Sequence, residues 1–354
     1  MSAPPLRHWL LGLALSLLAA WVAGAFFLDT VQPVVFDTAV NRYVPAPGTS
    51  SRTRGEGWAT SKVGGHGIRG LPGGDLPQGP KVVFWGDSFV EAVQVDDSER
   101  MAQVFTSLAR RDALPLNGVG IGNGGDTLID AVFRLPDYAG VLEPVALNVL
   151  VLSRLEDTLP DMPRPCRARF LSTPELRLER GDCPPSTLGL RLAGPFHSLE
   201  LAGAFELYRK LQTLTVRLSP GPAPLTTRGN APAPEIDQDA AFNFLLARTQ
   251  ELARGPVLLL RIPPVPALNQ GRIVLAEPQP DLSRRIAQAC ARNGVGFLDL
   301  GPAFAARFQA TGRFPRGFFN TPPGTGHLNQ DGHRLVAEAV LNYTKEHRDA
   351  LLAP

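Results

Sequence analysis

The chain of 354 residues has few cysteines, almost no net charge and no long run of like charges. Its three cysteines are too few for a disulfide-built scaffold or a four-thiolate metal site. Thirty-five basic and 33 acidic residues leave a net charge of +2, so the composition does not favour a nucleic-acid partner. The apolar content of 44% excludes a disordered chain and is sufficient for a substantial core.

The short motifs that mark metal and nucleotide sites are also missing. The sequence contains no HExxH, no paired CxxC, no carboxylate-rich loop and no phosphate-binding GxxxxGK[ST] loop. The glycine-rich stretch NGVGIGNGG, residues 117–125, lacks the later acidic residue of a dinucleotide fingerprint. We therefore expect neither a metal nor a cofactor.

The N-terminus contains one long apolar run. Residues 9–28 carry no charge, and a helix of that length spans about 30 Å, the thickness of a bilayer core. Because Arg7 precedes the run and Asp29 follows it, we expect residues 1–8 in the cytoplasm, a single membrane pass, and the rest in the periplasm or at the cell surface. Ala23-Gly24-Ala25 leaves open a cleaved signal peptide and a secreted product.

The remaining chain alternates between apolar runs and amphipathic segments. Residues 29–80 are rich in Gly, Pro, Ser and Arg, which indicates a stalk and an irregular segment lying against the domain. Strands are predicted at 81–85, 116–120, 145–153, 256–262 and 294–300, and helices at 98–111 (N-capped by Ser98), 127–135, 196–216, 238–253, 281–293 and 332–347. This alternation predicts an α/β domain over 81–354, a three-layer sandwich around a parallel sheet, with an insertion near 157–237.

The insertion contains two of the three cysteines. Cys166 and Cys183 flank a stretch that could form a hairpin, and in an oxidising compartment they could form a disulfide; two free thiols are the alternative. Cys290 lies on the apolar side of a predicted helix and is expected in the core.

Three segments hold residues suited to acyl-transfer chemistry. Ser88 follows a buried strand and Gly86, which places it at the carboxyl edge of the sheet. His327 precedes the last predicted helix, where it could approach the serine hydroxyl as a general base. Gly125 follows the second strand, where a backbone N–H could face a bound oxyanion.

Three blocks of sequence, KVVFWGDSF, NGVGIGNGGDTLIDAVFRL and HLNQDGH, resemble the SGNH (GDSL-like) hydrolase family in this order and spacing. The resemblance implies a flavodoxin-like sandwich of about five parallel strands. It also implies that Ser88 is the nucleophile and His327 the base. The backbone N–H groups of Ser88 and Gly125 would form the oxyanion hole, with Asp87 and Asn329 in supporting positions.

The sequence departs from the family pattern at two positions. Gly324 stands where the family has an aspartate three residues before the histidine, and no acid lies between Arg316 and His327. A backbone carbonyl, a distant acid or, less suitably, Asp331 could replace it. Glu156 stands where an asparagine usually donates to the oxyanion, and Arg154 could donate in its place.

The resemblance implies a membrane-anchored extracytoplasmic serine esterase or acyltransferase. Its expected substrates are O-acyl esters, foremost O-acetyl esters, of envelope or exopolysaccharide glycans, with partners in such a polysaccharide pathway. Two alternatives remain open: a catalytically degenerate glycan-binding or assembly protein on the same fold, and a lipase-like esterase acting at the membrane.

Overall fold

The computed structural model describes residues 6–71, 73–153, 169–172, 176–180, 187–218, 237–275, 277 and 280–352. The predictions for Arg154, Glu156, Cys166 and Cys183 lie outside these residues. The strands are β1 Val34–Asp37, β2 Arg42–Pro45, β3 Ser50–Thr53, β4 Ala59–Lys62, β5 Lys81–Gly86, β6 Asn117–Gly122, β7 Val145–Leu152, β8 Arg169–Ser172, β9 Leu176–Glu179, β10 Val257–Arg261, β11 Ala267–Asn269, β12 Arg272–Val274 and β13 Gly296–Asp299. The helices are α1 Leu6–Phe27, α2 Ser88–Glu91, α3 Met101–Arg111, α4 Leu128–Leu142, α5 Thr187–Ser198, α6 Ala202–Leu218, α7 Gln238–Leu252, α8 Pro280–Arg292, α9 Gly301–Thr311, α10 Gln330–Glu346 and α11 Arg348–Leu351.

The centre of the fold is a parallel sheet of five strands in the order β6-β5-β7-β10-β13. Counted along the chain, this order is 2-1-3-4-5, the flavodoxin-like arrangement. The predicted α/β class, the parallel sheet and the strand number are confirmed. In such a sheet the ligand site lies beyond the carboxyl ends of the strands where the order reverses, here β5 and β7.

Successive side chains of β5 point to opposite faces of the sheet, and both faces are covered by helices. Val83 and Trp85 belong to the core under α4, α7 and α8, whereas Val82 and Phe84 belong to the core under α3 and α10. All four side chains are buried, as expected for a strand between two helical layers. The indole Nε1 of the buried Trp85 donates to Asn148 Oδ1 at 3.0 Å, so its polar atom has a partner inside the core.

Residues 29–80 form short hairpins that pack on this domain. Strands β1 and β2 pair antiparallel, and so do β3 and β4. Val40, Val44, Ile68 and Leu71 are buried in the core cluster that contains α4 and α7. This N-terminal segment therefore packs on the α/β domain and shares its core.

Three predicted helices differ from those observed. The helix expected over 127–135 continues to Leu142 as α4. The helix expected from Ser98 begins at Met101, and residues 97–99 form a separate 3-10 turn. Asp96 and Asp97 accept hydrogen bonds from the backbone of β4, at 3.0 Å and 2.9 Å, and this tertiary contact interrupts the helix. The single helix expected over 196–216 is instead the hairpin of α5 and α6, which is broken at Glu200, whose φ is 54°.

Helix α1 consists of 22 residues. Its most apolar 18-residue window has a mean hydropathy of 2.2, and only 6% of that window is buried against the protein. By length and composition it suits either a membrane span or a signal sequence.

Candidate active site

Ser88 is the first residue of the short helix α2 that follows β5. The preceding residue, Asp87, caps this helix by accepting a hydrogen bond from Phe89 N at 2.9 Å. Ser153, just beyond the end of β7, donates its hydroxyl to the other oxygen of Asp87 at 2.8 Å. Asp87 therefore joins the ends of the two central strands and fixes the turn that presents Ser88 at the carboxyl edge.

His327 lies in the loop before α10, and its ring reaches Ser88. The distance from His327 Nε2 to Ser88 Oγ is 2.8 Å, within normal hydrogen-bond range. Asn329 fixes this loop because its amide donates to the carbonyl oxygens of Phe314 and Gly317 at 2.7 Å and 3.1 Å. Its Oδ1 accepts from the backbone N–H of Gly332 and so caps α10. The two residues that the sequence paired as nucleophile and base are thus in direct contact.

The third group of the arrangement is Glu56, from the turn between β3 and β4. Its Oε2 lies 2.5 Å from His327 Nδ1, and its Oε1 accepts the backbone N–H of His327 at 2.7 Å. The two bonds fix both the loop and the ring. With Nδ1–H directed at a carboxylate, Nε2 is the unprotonated nitrogen and can accept the Ser88 proton.

Two side chains hold the Glu56 turn in place. Asn320 donates to the carbonyl oxygens of Arg54 and Gly57 at 2.9 Å and 3.2 Å, and its Oδ1 accepts from Gly57 N at 2.9 Å. Asp29, two residues beyond α1, accepts from Arg54 N at 2.5 Å and Gly55 N at 3.3 Å. The carboxylate is therefore positioned by the His327 loop on one side and by the end of α1 on the other.

Glu56 was not among the residues singled out in the sequence. It lies 271 positions before its partner in a Gly-Glu-Gly turn, with no local pattern that distinguishes it from other surface acids. The nearer candidate, Asp331, forms ion pairs with Arg307 at 3.0 Å and Arg313 at 3.8 Å, rather than with His327. Gly324 has a φ of +74°, and a Cβ there would lie 2.8 Å from the Phe314 ring, so an aspartate does not fit at the family's usual position.

Glu56 is ionised in this setting. Partial burial raises the pKa of its carboxyl group, but the hydrogen bonds from the His327 side chain and backbone, together with the charge of the ring, lower the pKa more. The net direction is a pKa below the usual glutamate value. A carboxylate at this position stabilises the imidazolium that forms when the ring accepts a proton.

The expected oxyanion donors lie on two neighbouring loops. Ser88 is the first residue of a helix, where a backbone N–H has no intrahelical acceptor. Gly125 has a φ of 78°, which most other residues avoid. The adjacent Gly124 N–H donates to Glu91 Oε2 at 2.8 Å, and Glu91 Oε1 lies 3.4 Å from Arg69 Nε. An ion pair on the buried side thus fixes the loop that presents Gly125.

Aromatic residues form one wall beside the histidine. The centroid of the Phe89 ring lies 5.3 Å from that of His327, and the Arg316 guanidinium lies 4.9 Å from the centre of the Phe89 ring. A cleft of about 550 Å³ adjoins the His327 loop, with Trp58, Phe318, Phe319, Asp96, Glu99 and Arg313 in its lining. Phe319 is 81% exposed, so its ring is available to a ligand. Trp58 is 48% exposed, and the Arg54 guanidinium lies 4.4 Å from the centre of its ring, so only part of the indole is available.

Other chemistries are not supported in the described part of the chain. No group of three or more His, Cys, Asp or Glu among the described residues could hold a metal ion. Cys290 is a buried free thiol, as expected for a core residue, and burial raises its pKa to about 12, so it is not a thiolate nucleophile.

Comparisons with known proteins give only distant likeness. No protein-family model and no curated protein matches the sequence. Among solved structures, a two-domain esterase active on acetylated mannans is 11% identical with a TM-score of 0.38. The alignment covers 75% of this chain and 49% of the esterase, so the chain spans about half the length of that protein. An acetyl xylan esterase is 16% identical with a TM-score of 0.40, covering 74% and 98%. A psychrotrophic esterase from Pseudoalteromonas sp. is 10% identical with a TM-score of 0.38, covering 76% and 98%. Likeness at this level carries no argument about function.

Proposed function

We propose that the chain is a serine esterase or acyltransferase of the SGNH type, with Ser88 as nucleophile, His327 as general base and Glu56 as the acid that orients it. The observation that carries this proposal is the unbroken hydrogen-bonded series from Ser88 Oγ through both ring nitrogens of His327 to Glu56. A nucleophile, a base and a group that orients the base, at these distances, form the arrangement that activates a hydroxyl for acyl transfer.

The reaction proceeds through an acyl-enzyme. Ser88 Oγ attacks the carbonyl carbon of the ester while His327 Nε2 accepts the hydroxyl proton. The tetrahedral intermediate then breaks its bond to the leaving oxygen, which takes that proton from His327. Water or a glycan hydroxyl next attacks the acyl-Ser88 carbonyl and passes its proton to His327, and the proton returns to Ser88 Oγ as the acyl group leaves. Glu56 holds Nδ1–H and balances the imidazolium charge in both steps.

The oxyanion is proposed to accept hydrogen bonds from the backbone N–H groups of Ser88 and Gly125. Ser88 begins α2 and Gly125 lies three residues before α4, and the free N–H groups at the start of a helix favour an anion. Arg154 is proposed as a further donor in place of the missing asparagine.

Acylated glycans, foremost O-acetylated ones, are the proposed substrates. The cleft beside the His327 loop presents exposed aromatic faces together with charged side chains, Asp96, Glu99 and Arg313 among them. Aromatic faces pack against sugar rings, and charged groups bind hydroxyls, whereas an acyl-chain channel would be uniformly apolar. We further propose that α1 anchors the enzyme with its N-terminus in the cytoplasm, which places the site outside the cytoplasmic membrane near envelope or exopolysaccharide glycans.

The alternative of a degenerate, purely binding protein rested on two departures from the family pattern, Gly324 and Glu156. The contact between Glu56 and His327 removes the first reason, because a carboxylate does reach the ring. The second concerns a residue outside the described part of the chain.

The test compares ester classes on the purified full chain in detergent. Acetylated xylo-oligosaccharide and p-nitrophenyl acetate should be hydrolysed, p-nitrophenyl palmitate should not, and Ser88→Ala should abolish both activities. Ser107→Ala is the matched control, because Ser107 is an exposed serine on α3 whose hydroxyl bonds only to its own helix. A folded protein that hydrolyses none of the acetyl esters would overturn the proposal, and preference for the palmitate would favour the lipase-like alternative.

A further inference from the structure

The hairpin of α5 and α6 packs directly on the apolar helix α1. Trp21 Nε1 on α1 donates to the carbonyl oxygen of Leu199, in the turn between α5 and α6, at 2.9 Å. Gly24 is the buried residue of α1, and a Cβ on Gly203 would lie 3.5 Å from Leu28 Cδ1. Leu28, the residue after α1, therefore lies beside the start of α6.

The level of this contact along α1 is informative. Trp21 lies six residues before the end of α1 at Phe27, which corresponds to about 9 Å at 1.5 Å per residue. If α1 spans a bilayer, the Leu199 turn therefore lies below the end of the span, at the depth of lipid rather than water. Leu199 is 58% exposed, so more than half of its surface has no protein cover at this depth.

The outer surface of the hairpin matches this position. Leu207 and Leu211 lie one helical turn apart on α6 and are 59% and 52% exposed. Exposed Arg209 and Lys210 lie between them along the chain, and exposed Glu206 pairs with Arg209 at 3.2 Å. The helix thus combines an apolar face with charged side chains, two of them basic. Leucines with neighbouring cations are typical of a segment that enters the boundary between headgroups and acyl chains.

The inner surface of the hairpin is fixed to the N-terminal segment. Ala193 and Ala202 form a small core with Val31. His197 Nδ1 lies 2.9 Å from Val31 O, and Arg52 donates to both carboxylate oxygens of Glu200. These contacts fix the inner side of the hairpin against the protein. The exposed leucines on the outer side therefore have a defined orientation.

We propose that the turn between α5 and α6 is a second membrane-inserted element, with Leu199 in the acyl region of the bilayer and Leu207 and Leu211 near the interface. This inference rests on the proposed anchoring by α1. Its occupant is lipid, because the turn contacts α1 within the stretch that the bilayer surrounds. The proposed insertion also bears on the site. The bilayer would hold both α1 and the turn that contains Glu200. Glu200 binds Arg52 on β3, and Asp29 after α1 binds the backbone of Arg54, so both contacts position the chain that leads to Glu56.

The test places a photoreactive residue in the full chain reconstituted in vesicles of phosphatidylcholine and phosphatidylglycerol. Leu199→p-benzoylphenylalanine should form a lipid adduct on irradiation, detected by mass spectrometry. Leu13→p-benzoylphenylalanine, within α1, is the positive control, and Ser107→p-benzoylphenylalanine, exposed on α3, is the negative control. Ser198→p-benzoylphenylalanine repeats the test in the same turn if the Leu199 variant does not fold.

The outcomes separate the two proposals. Lipid adducts at positions 13 and 199 but not at 107 support insertion of the hairpin. An adduct at 13 with none at 199 and 198 overturns the insertion while leaving the anchor intact. No adduct at 13 contradicts the membrane anchor itself, and the hairpin proposal falls with it.

Discussion

The Glu56 carboxylate accepts two hydrogen bonds from His327, one from ring Nδ1 at 2.5 Å and one from the backbone N–H at 2.7 Å. An acid that binds both the ring and the main chain of the base fixes its position as well as its tautomer. The acid comes from the N-terminal hairpin of β3 and β4, and the loop that carries the base has no room for an acid at Gly324. The proposed mechanism therefore requires the N-terminal segment to remain attached to the α/β domain.

Replacing the acid should disable the base. Glu56→Gln keeps the shape of the side chain but removes its charge, so the preferred tautomer and the stabilisation of the imidazolium are lost. We expect kcat for p-nitrophenyl acetate to fall by about 10² to 10⁴, in the range known for such substitutions. Steady-state kinetics measure the change, and Glu206→Gln, an exposed acid on α6, is the matched control. Unchanged kcat in Glu56→Gln would remove Glu56 from the mechanism.

The missing aspartate should not be restorable at its usual place. Gly324→Asp in the Glu56→Gln background should give no recovery of kcat. Any side chain at Gly324 must adopt a φ near +74° and would overlap the ring of Phe314. The left-handed conformation alone costs about 1–2 kcal/mol, so the midpoint of thermal unfolding should also fall. Recovery of activity in the double variant would show that the loop can rearrange to the family's usual geometry.

Gly326 tests the position of Glu56 without changing any reacting group. A Cβ at Gly326 would overlap Glu56 Oε1. Gly326→Ala should therefore displace the carboxylate and lower kcat by about 10²-fold, the loss expected for a displacement of about 1 Å in a catalytic group. Gly312→Ala is the control, because Gly312 has a similar φ, +67° against +72°, but open space around it. Equal losses in both variants would mean that backbone strain, rather than contact with Glu56, causes the effect.

His333 predicts a pH dependence of stability that is separate from catalysis. It is 1% exposed, and burial, aided by the charges of Arg100 and His327, lowers its pKa from 6.5 to about 3. Between these two values the unfolded chain binds a proton that the folded protein does not. The free energy of unfolding should therefore decrease as the pH falls below 6.5, by up to about 1.4 kcal/mol per pH unit for this one group.

Urea unfolding at pH 7.5 and pH 5 measures this effect. His333→Leu, which has no titrating group, should show a smaller loss of stability over the same interval than the unmodified protein. The two proteins losing stability equally would show that His333 does not titrate as its burial requires.

The central sheet was predictable because each strand is an apolar run with a clear end. Lys81–Gly86 and Val145–Leu152 fall within about one residue of their predicted bounds, since burial on both faces makes the run continuous. Helix ends set by tertiary contacts were not predictable. The start of α3 depends on hydrogen bonds that the backbone of β4 donates to Asp96 and Asp97. The break between α5 and α6 coincides with the ion pair of Glu200 and Arg52.

The candidate site was predictable in part for a related reason. Each of the two residues paired from the sequence has a local signal. Ser88 comes after a strand and a turn, and His327 lies in the loop before a long helix near the C-terminus. Glu56 has none, because its role arises from a contact across 271 positions that only the folded hairpin creates. Asp331, the local alternative, forms ion pairs with Arg307 and Arg313, as a surface acid beside two cations would.

Labelling with a fluorophosphonate probe tests most directly whether Ser88 is activated by His327 and Glu56. The probe reacts with an activated serine without requiring the natural substrate. In the full chain, we expect one adduct on the peptide that contains Ser88, none in Ser88→Ala, and labelling slower by at least tenfold in His327→Ala and Glu56→Gln, as measured by mass spectrometry over time. A folded protein that is not labelled, or that is labelled equally in all four forms, would contradict the account.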